Sequence, residues 1–419
     1  MSISPKCKYF IQTYGCQMNT ADSERLSGLL EGLGLSAAES LSEAAVVVLY
    51  SCSVRQAAED KVFGWGKKIK EFNEANDQMI NGSKDQKDIS IYHSAGFPTR
   101  ADRGQAERPF PLFILTGCMA GSARGERKRF SEKELKHKAS FIDYILGPSE
   151  WEQLLPSILV REGLVSPERI AALSYQPKRK VGQTAFVNIS EGCDNFCSYC
   201  VVPYGRGKEI SRSKNEILAE ARHLVEQGFH HLTLLGQNVN SWGITDPEHK
   251  RNIRINSDTA LPFASLLREI HEINGIERLS FLTANPFDFT RDMVQALALP
   301  KVDRYLHMAV QSGSDTVLDR MNRRHTIAEY RKLIASIRKS VPDIELGTDI
   351  IVGFPGETEE EFSETLRLIS DIRYNVVFTA MYSPRPGTSA ATKYADDVPK
   401  AVKKERYARV QDFLAQQLG

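Results

Sequence analysis

Three apolar, strand-like runs in the first part of the chain stop in the same way: "KYFIQTYGC" at Cys16, "AAVVVLYSC" at Cys52 and "PLFILTGC" at Cys118. Helical segments separate them. "NTADSERLSGLLEGLG" sets Leu26, Leu29, Leu30 and Leu33 at helical spacing before Gly34, and a second amphipathic stretch runs from about Val54 to Phe72. A charged helix and a fourth run, "IDYILG", follow Cys118. Strands alternating with helices predict a parallel sheet. The C-terminal ends of parallel strands lie along one edge, where ligands bind. A single cysteine at such an end is ordinarily a small core residue. Three at three strand ends can converge, although they are far apart in sequence. Cys7 begins the first run, at the opposite end, and reads as a free thiol.

Residues from about 73 to 110 are polar, carry scattered Gly, Asn, Asp and Pro, and show no sustained period; they read as a long surface loop. "SYQPKRKVGQ", residues 174 to 183, reads as a linker. Beyond it the alternation restarts with six strand candidates: "AFVNIS", "HLTLLG", "RLSFLT", "YLHMAV", "ELGTDIIVGF" and "VVFTAMY". Leu218, Ala221, Leu224 and Val225 share one helical face between the first two. Six such units predict a partial or full parallel barrel with its functional residues at the strands' C-terminal ends. "KAVKKERYARVQDFLAQQLG" closes the chain as a basic amphipathic helix. The expected organisation is therefore α/β throughout: an N-terminal parallel-sheet domain over residues 1–173, a linker over 174–183, and a barrel domain over 184–419.

Composition narrows the function classes. A chain of 419 residues supports two or three cores. No run approaches the roughly 20 apolar residues of a membrane span, and the N-terminus lacks the apolar centre of a signal peptide, so a cytoplasmic protein is expected. Seven cysteines in such a chain point to metal binding or catalysis before structural disulfides. A net charge of +1 leaves any nucleic-acid surface to a local patch. The basic clusters "ARGERKRF", "RMNRRHT" and "KAVKKERYAR" read as solvated helix faces. No G-x4-GK[ST] loop occurs, so nucleotide hydrolysis has no support.

The most specific chemical signal is "SEGCDNFCSYC", where Cys193, Cys197 and Cys200 follow the first barrel strand in a C-x3-C-x2-C spacing. A closed structural zinc site needs a fourth ligand. The nearest downstream candidate is His223, on a predicted helix. Three cysteines on a four-iron cubane leave one iron open to a small molecule, and the aromatic Tyr199 belongs to the same pattern. The loop resembles that of the radical S-adenosylmethionine (SAM) enzymes. In that family the open iron binds the amino and carboxylate groups of SAM, and one electron from the cluster yields a 5′-deoxyadenosyl radical.

A closer resemblance covers about residues 8 to 415. "TYGCQMNTADSERL", "YSCSVRQAAEDKVFGW" and "GCDNFCSYCVVPYGRGKEISRS" resemble the methylthiotransferases, most of all the MiaB type that modifies tRNA. "LLGQNVNSWG", "LHMAVQSGSD", "TDIIVGFPGET" and "YSPRPGTSA" are similar to the same family's barrel-strand endings. Two departures stand out: the loop at about 73–110 is longer than usual, and the chain stops at Gly419, where the family's C-terminal TRAM β-barrel would begin, so that module is expected to be absent.

The resemblance implies that Cys193, Cys197 and Cys200 bind the radical-generating [4Fe–4S] cluster. It implies that Cys16, Cys52 and Cys118 hold an auxiliary [4Fe–4S] cluster whose open iron carries the sulfur. The implied substrate is N6-isopentenyl-adenosine 37 of tRNA, methylthiolated at C2. That aromatic C–H has no acidic proton for a base to take, whereas a carbon radical can remove its hydrogen. One SAM methylates the sulfur and a second supplies the radical. No catalytic side chain beyond the cluster ligands is implied; the implied partners are tRNA and an electron donor such as flavodoxin or ferredoxin, for a monomer with no membrane role. The sulfur donor is not readable.

Further SAM-contact candidates are Gln237 and Asn238 after the second barrel strand, Gln311 and Ser312 after the fourth, and Arg212 beyond the cysteine loop, which can pair with the SAM carboxylate. Gly353, Pro355 and Gly356 resemble the family's adenine-contacting turn, Arg385 is placed toward the substrate, and His307 reads as a hydrogen-bonded core histidine. Two other functions compete: methylthiolation of threonylcarbamoyl-adenosine or of a ribosomal-protein aspartate, and an iron–sulfur RNA-binding or electron-transfer protein without SAM chemistry.

Overall fold

The computed structural model describes residues 7–71, 111–179 and 182–418, so the long loop read at about 73–110 lies outside the described residues. The chain divides into two compact units, Met1–Lys180 with Tyr204–Gly207, and Val181–Pro203 with Lys208–Gly419. The second segment of the first unit, four residues long, comes from just beyond the barrel's cysteine loop.

The first unit is built on β1 (Lys8–Tyr14), β2 (Ser36–Ala37), β3 (Val46–Ser51), β4 (Leu112–Thr116) and β5 (Tyr144–Ile145). All neighbours pair in parallel, in the order β2-β1-β3-β4-β5. This is the strand order of flavodoxin-type doubly wound sheets, whose chain reversal opens a crevice between β1 and β3. Helix α1 (Gln17–Gly32) follows β1, α2 (Gln56–Phe63) follows β3 and α3 (Cys118–Arg124) follows β4. The run of β-branched residues in β3 makes sense at the sheet centre, where both faces are covered. Val46, Val48 and Tyr50 pack with Leu26, Leu29, Leu30 and Trp151, while Val47 and Leu49 pack with Val62, Phe113 and Met119. Each such side chain stabilises the fold by about 1.5–3 kcal/mol. The two-residue strand β2 is too short to leave a sequence pattern, and β5 keeps only two residues of the run "IDYILG".

The second unit contains the six expected barrel strands: β6 (Thr184–Asn188), β9 (His231–Leu235), β10 (Arg278–Phe281), β11 (Tyr305–His307), β12 (Glu345–Val352) and β13 (Val376–Met381). They form two parallel three-stranded sheets, β10-β9-β6 and β11-β12-β13, joined by the single bridges Leu279–Val302 and Ala284–Met308. Among the described residues β6 pairs only with β9 and β13 only with β12, so the barrel is partial. A small antiparallel pair, β7 (Ser190–Glu191) with β8 (Ile210–Ser211), clamps the two ends of the cysteine loop. Ile217, Leu218, Ala221 and Leu224 bury the inner face of helix Lys214–Glu226. Among the described residues no helix is long and apolar enough to cross a membrane.

The three basic clusters differ from the solvated faces expected of them. Arg129 is buried, with Nη1 donating to Ser53 Oγ at 2.8 Å and lying 3.6 Å from Glu59. Lys403 and Arg406 are buried on the C-terminal helix Lys400–Leu418 and pair with Asp396 and Glu357. Arg323 and Arg324 lie past the end of helix Asp315–Arg320, where Asn322 takes a positive φ of 56° and turns the chain inward. Local periodicity carries no information about acids supplied from distant parts of the chain.

Candidate metal centres

In the first unit the three cysteines fall where the sheet delivers them. Tyr14 is in register with Ser51 and Tyr50 with Thr116, so the chain leaves β1, β3 and β4 side by side. Cys16 is the N-cap of α1, Cys52 follows Ser51 directly, and Cys118 opens α3. The Cys52 N–H donates to Tyr14 O at 3.0 Å, tying the first two ends together. The Cys52 thiol lies within hydrogen-bonding reach of both Cys16 and Cys118. Accepting from Cys52 pulls the Cys16 pKa down to about 6, helped by the Asn19 and Met18 N–H groups and the Arg206 charge. The same acceptance pulls Cys118 down to about 7, again with Arg206 helping and burial opposing. Cys52, the donor to both, is pushed up. Thiolates are the metal-binding form, so Cys16 and Cys118 are biased toward it, while Cys52 keeps the proton that the two share.

Glycine makes this approach possible at two points. Gly15 has φ +131°, and a Cβ there would lie 2.5 Å from Cys52 Cβ. Gly117 has φ +88°, and its Cβ would lie 2.6 Å from the Ser51 carbonyl oxygen, a backbone atom that cannot step aside. Gly117→Ala is therefore expected to destabilise the first unit by about 1–3 kcal/mol. It should also shift Cys118, read as a lowered thermal midpoint together with reduced iron retention.

In the second unit Cys193, Cys197 and Cys200 share one loop. The Gly192 N–H donates to Gln237 Oε1 at 2.5 Å, which anchors the loop start to the end of β9. Phe196 takes a positive φ of 50°, sparsely populated for a bulky residue, and Asn322 Nδ2 holds its carbonyl at 2.8 Å. Ser198 is fixed on both sides, by the carbonyls of Arg320 and Met321 and by the N–H of Ala390. N–H donors face two of the sulfurs: Arg323 Nη1 lies 3.6 Å from Cys197 Sγ and Val202 N lies 3.5 Å from Cys200 Sγ. Burial, then the neighbouring thiols and Glu209, push the Cys193 pKa up. Half-buried Tyr199 packs against the apolar cluster of Phe354 and Tyr382, and burial raises its pKa well above the ordinary value. Donors aimed at sulfur and a strained, over-fastened loop both fit a thiolate ligand set. Among the described residues, no three His, Cys, Asp or Glu side chains converge as a single metal ion requires. A cluster makes a different demand, because each thiolate bonds its own iron.

The other expected contacts divide into two groups. Gln237 adjoins the cysteine loop. Gln311, with φ +79°, lies beyond the end of β11 and makes an isolated bridge to Ile350, and Ser312 Oγ accepts from the Ser314 N–H at 3.2 Å. Asn238 and Arg212 are engaged by other protein groups more fully than Gln237 and Ser312 are. Asn238 Nδ2 donates to Ser241 Oγ and Asp288 Oδ2, both at 2.9 Å, and its Oδ1 accepts from Asn285. Arg212 Nη1 donates to Asn188 O at 2.6 Å and pairs with Glu220 at 2.7 Å. Arg385 is 6% exposed. His307 bonds Asp349 through Nε2 at 2.9 Å. Two residues that sequence reasoning passed over stand beside the sulfurs, Arg323 at Cys197 and Arg206 at Cys118. Arg206 lies inside "GCDNFCSYCVVPYGRGKEISRS", where nothing local marks it, because a buried arginine facing thiolates leaves no sequence signal.

Fold and cysteine loop together define a radical SAM domain. The radical SAM superfamily profile matches residues 187–369, and that of uncharacterized protein family UPF0004 matches residues 8–88. The chain resembles two solved radical SAM enzymes in fold. One is the methyltransferase TsrM from Kitasatospora setae (TM-score 0.55, 14% identity, 92% of this chain and 77% of that one). The other is the cobalamin-dependent enzyme OxsB (TM-score 0.52, 11% identity, 98% and 56%). Much closer in sequence are proteins named tRNA-2-methylthio-N(6)-dimethylallyladenosine synthase. That of a Thermoanaerobacter species is 38% identical over 96% of this chain and 76% of its own length, and that of Pseudomonas aeruginosa is 36% identical over 98% and 83%. The chain belongs to this MiaB-type family of methylthiotransferases.

Proposed function

We propose that this chain is a radical SAM enzyme that inserts a methylthio group at C2 of N6-isopentenyl-adenosine 37 in tRNA. The observation that carries the reading is the pairing, in one chain, of two cysteine triads at parallel-strand ends with 36–38% identity to synthases of that modification over nearly the whole length. Four-iron clusters held by Cys193, Cys197 and Cys200 and by Cys16, Cys52 and Cys118 supply, when bound, the electron that cleaves SAM and the sulfur that is transferred.

The protein's own residues bind and orient. Arg323 and the Val202 N–H stabilise negative charge on Cys197 and Cys200. Gln237, Gln311, Ser312 and Tyr199 border SAM, while Asn238 and Arg212 act on it indirectly, by holding the strand-end turns through Asp288 and Glu220. An electron donor of the flavodoxin or ferredoxin type, action as a monomer and a cytoplasmic location complete the reading. The test is mass spectrometry of tRNA from cells with and without the gene. The 2-methylthio group on isopentenyl-adenosine should vanish with the gene and return with the wild-type copy. An unchanged modification, or a change confined to threonylcarbamoyl-adenosine, would overturn the proposal.

A further inference from the structure

We propose that Arg206 is a positioning residue for the Cys16–Cys52–Cys118 site: its guanidinium donates to the Cys118 sulfur, fixing that ligand and making the bound cluster easier to reduce. The inference rests on the reading of these three cysteines as cluster ligands. Arg206 lies 88 residues from Cys118 in sequence, and its Nε donates to Cys118 Sγ at 3.3 Å. The rest of the fork is fastened to one face of α1. Nη2 donates to Asn19 Oδ1 at 2.8 Å and Nη1 pairs with Asp22 at 2.6 Å. Those partners are themselves held: Asn19 Nδ2 donates to Tyr14 O, and Asp22 accepts from Tyr50 OH at 2.9 Å. The guanidinium and the Asp22 carboxylate are both almost entirely buried, at 2% and 5% side-chain exposure.

Burying an ion pair is costly unless geometry and further hydrogen bonds compensate. Here the planar fork spends one arm on the carboxylate, one on the amide and its Nε on sulfur. Lysine, a point charge on a flexible stem, cannot reproduce that. The backbone is shaped for the same contact. A Cβ on Gly121 would lie 2.0 Å from Gly205 O, and one on Gly205 would lie 2.8 Å from Cys118 O. Two glycines thus let the segment Tyr204–Gly207 close onto the start of α3 and deliver Arg206 to the thiolate. Donors to cluster sulfurs stabilise the more negative, reduced form and so raise the reduction potential. Such outer-sphere partners are worth about 10–100-fold in metal affinity.

The test uses the full-length chain with Cys193, Cys197 and Cys200 replaced by alanine, reconstituted anaerobically, so that only the other site's iron is observed. The readouts are the midpoint from an EPR-monitored redox titration, the rate of iron loss to a chelator, and thermal unfolding. R206K and R206Q should each move the midpoint to more negative potential and speed iron loss about 10–100-fold. D22N, which touches no sulfur but loosens the anchor, should speed iron loss by a smaller factor than the Arg206 variants do. If R206Q does not fold, R206K and D22N carry the comparison. A wild-type midpoint in R206K, with wild-type iron-loss rates in R206K and D22N, would overturn the proposal. Failure of the parent chain to bind iron at all would instead remove the ligand reading beneath it.

Discussion

Cys52→Ala is expected to leave SAM cleavage running and to stop methylthiolation altogether. Cys52 is the middle member of its trio, the thiol in reach of both Cys16 and Cys118. Its loss takes that site below three thiolates, and the bound iron should fall by roughly half. Cys193, Cys197 and Cys200 belong to the other compact unit, with their own loop fastenings at Gln237, Asn322 and Ala390. Under dithionite the variant should therefore form 5′-deoxyadenosine at close to the wild-type rate while methylthiolated tRNA drops to background. Cys197→Ala should abolish both products. Deleting one buried sulfur costs about 1 kcal/mol or so in packing, so thermal unfolding of the apo chain should barely move. A Cys52→Ala chain that still makes product, or that also loses SAM cleavage, would contradict the division of labour between the triads.

The grouping of six cysteines into two sets of three was legible because strand ends and cysteine spacing are local facts. "TYGC", "YSC" and "TGC" each show a strand stopping at a thiol, and a parallel sheet turns three such stops into one edge. Gly117 could be read too, as the residue that lets β4 break into α3. What surrounds the sulfurs could not. Arg206 reaches Cys118, and Arg323 reaches Cys197, across 88 and 126 residues. Periodicity within a segment says nothing about such pairs. The same blindness made buried Arg129, Lys403 and Arg406 look like solvated cations. Asn238 shows the converse case: a polar residue in a turn is a natural ligand contact by position, yet its amide is taken up by Ser241, Asp288 and Asn285. The small strands β2, β7 and β8 escaped because two residues cannot display a period.

The largest stability effect is expected at Arg406, the C-terminal-helix residue that supports the turn "VGFPGE". Glu357 sits at the end of that turn with its side chain 1% exposed; it accepts the Gly353 N–H at 2.6 Å and pairs with Arg406 at 2.8 Å. Gly353 and Gly356 take φ of 68° and 74°, so the loop depends on glycine and on this carboxylate for its shape. Burial, opposed by the Gly353 N–H and the arginine, pushes the Glu357 pKa up from 4.5 to about 7. A carboxyl whose folded pKa is raised contributes stability that is whole below its ordinary value. That contribution is lost as pH rises through about 7. Arg406→Ala strips the partner from a buried charge and should cost about 3–5 kcal/mol at pH 8, lowering the unfolding midpoint by about 10 °C. At pH 5, where Glu357 is protonated, the same variant should lose much less. Glu357→Gln keeps an acceptor for Gly353 and Arg406 without the charge, so its stability should stay within about 1 kcal/mol of wild type at pH 8. It should also lack the wild-type decline between pH 5 and 8. Thermal melts of the three proteins at both pH values check this. An Arg406→Ala penalty independent of pH would mean that packing of the C-terminal helix, and not the buried carboxylate, governs the turn.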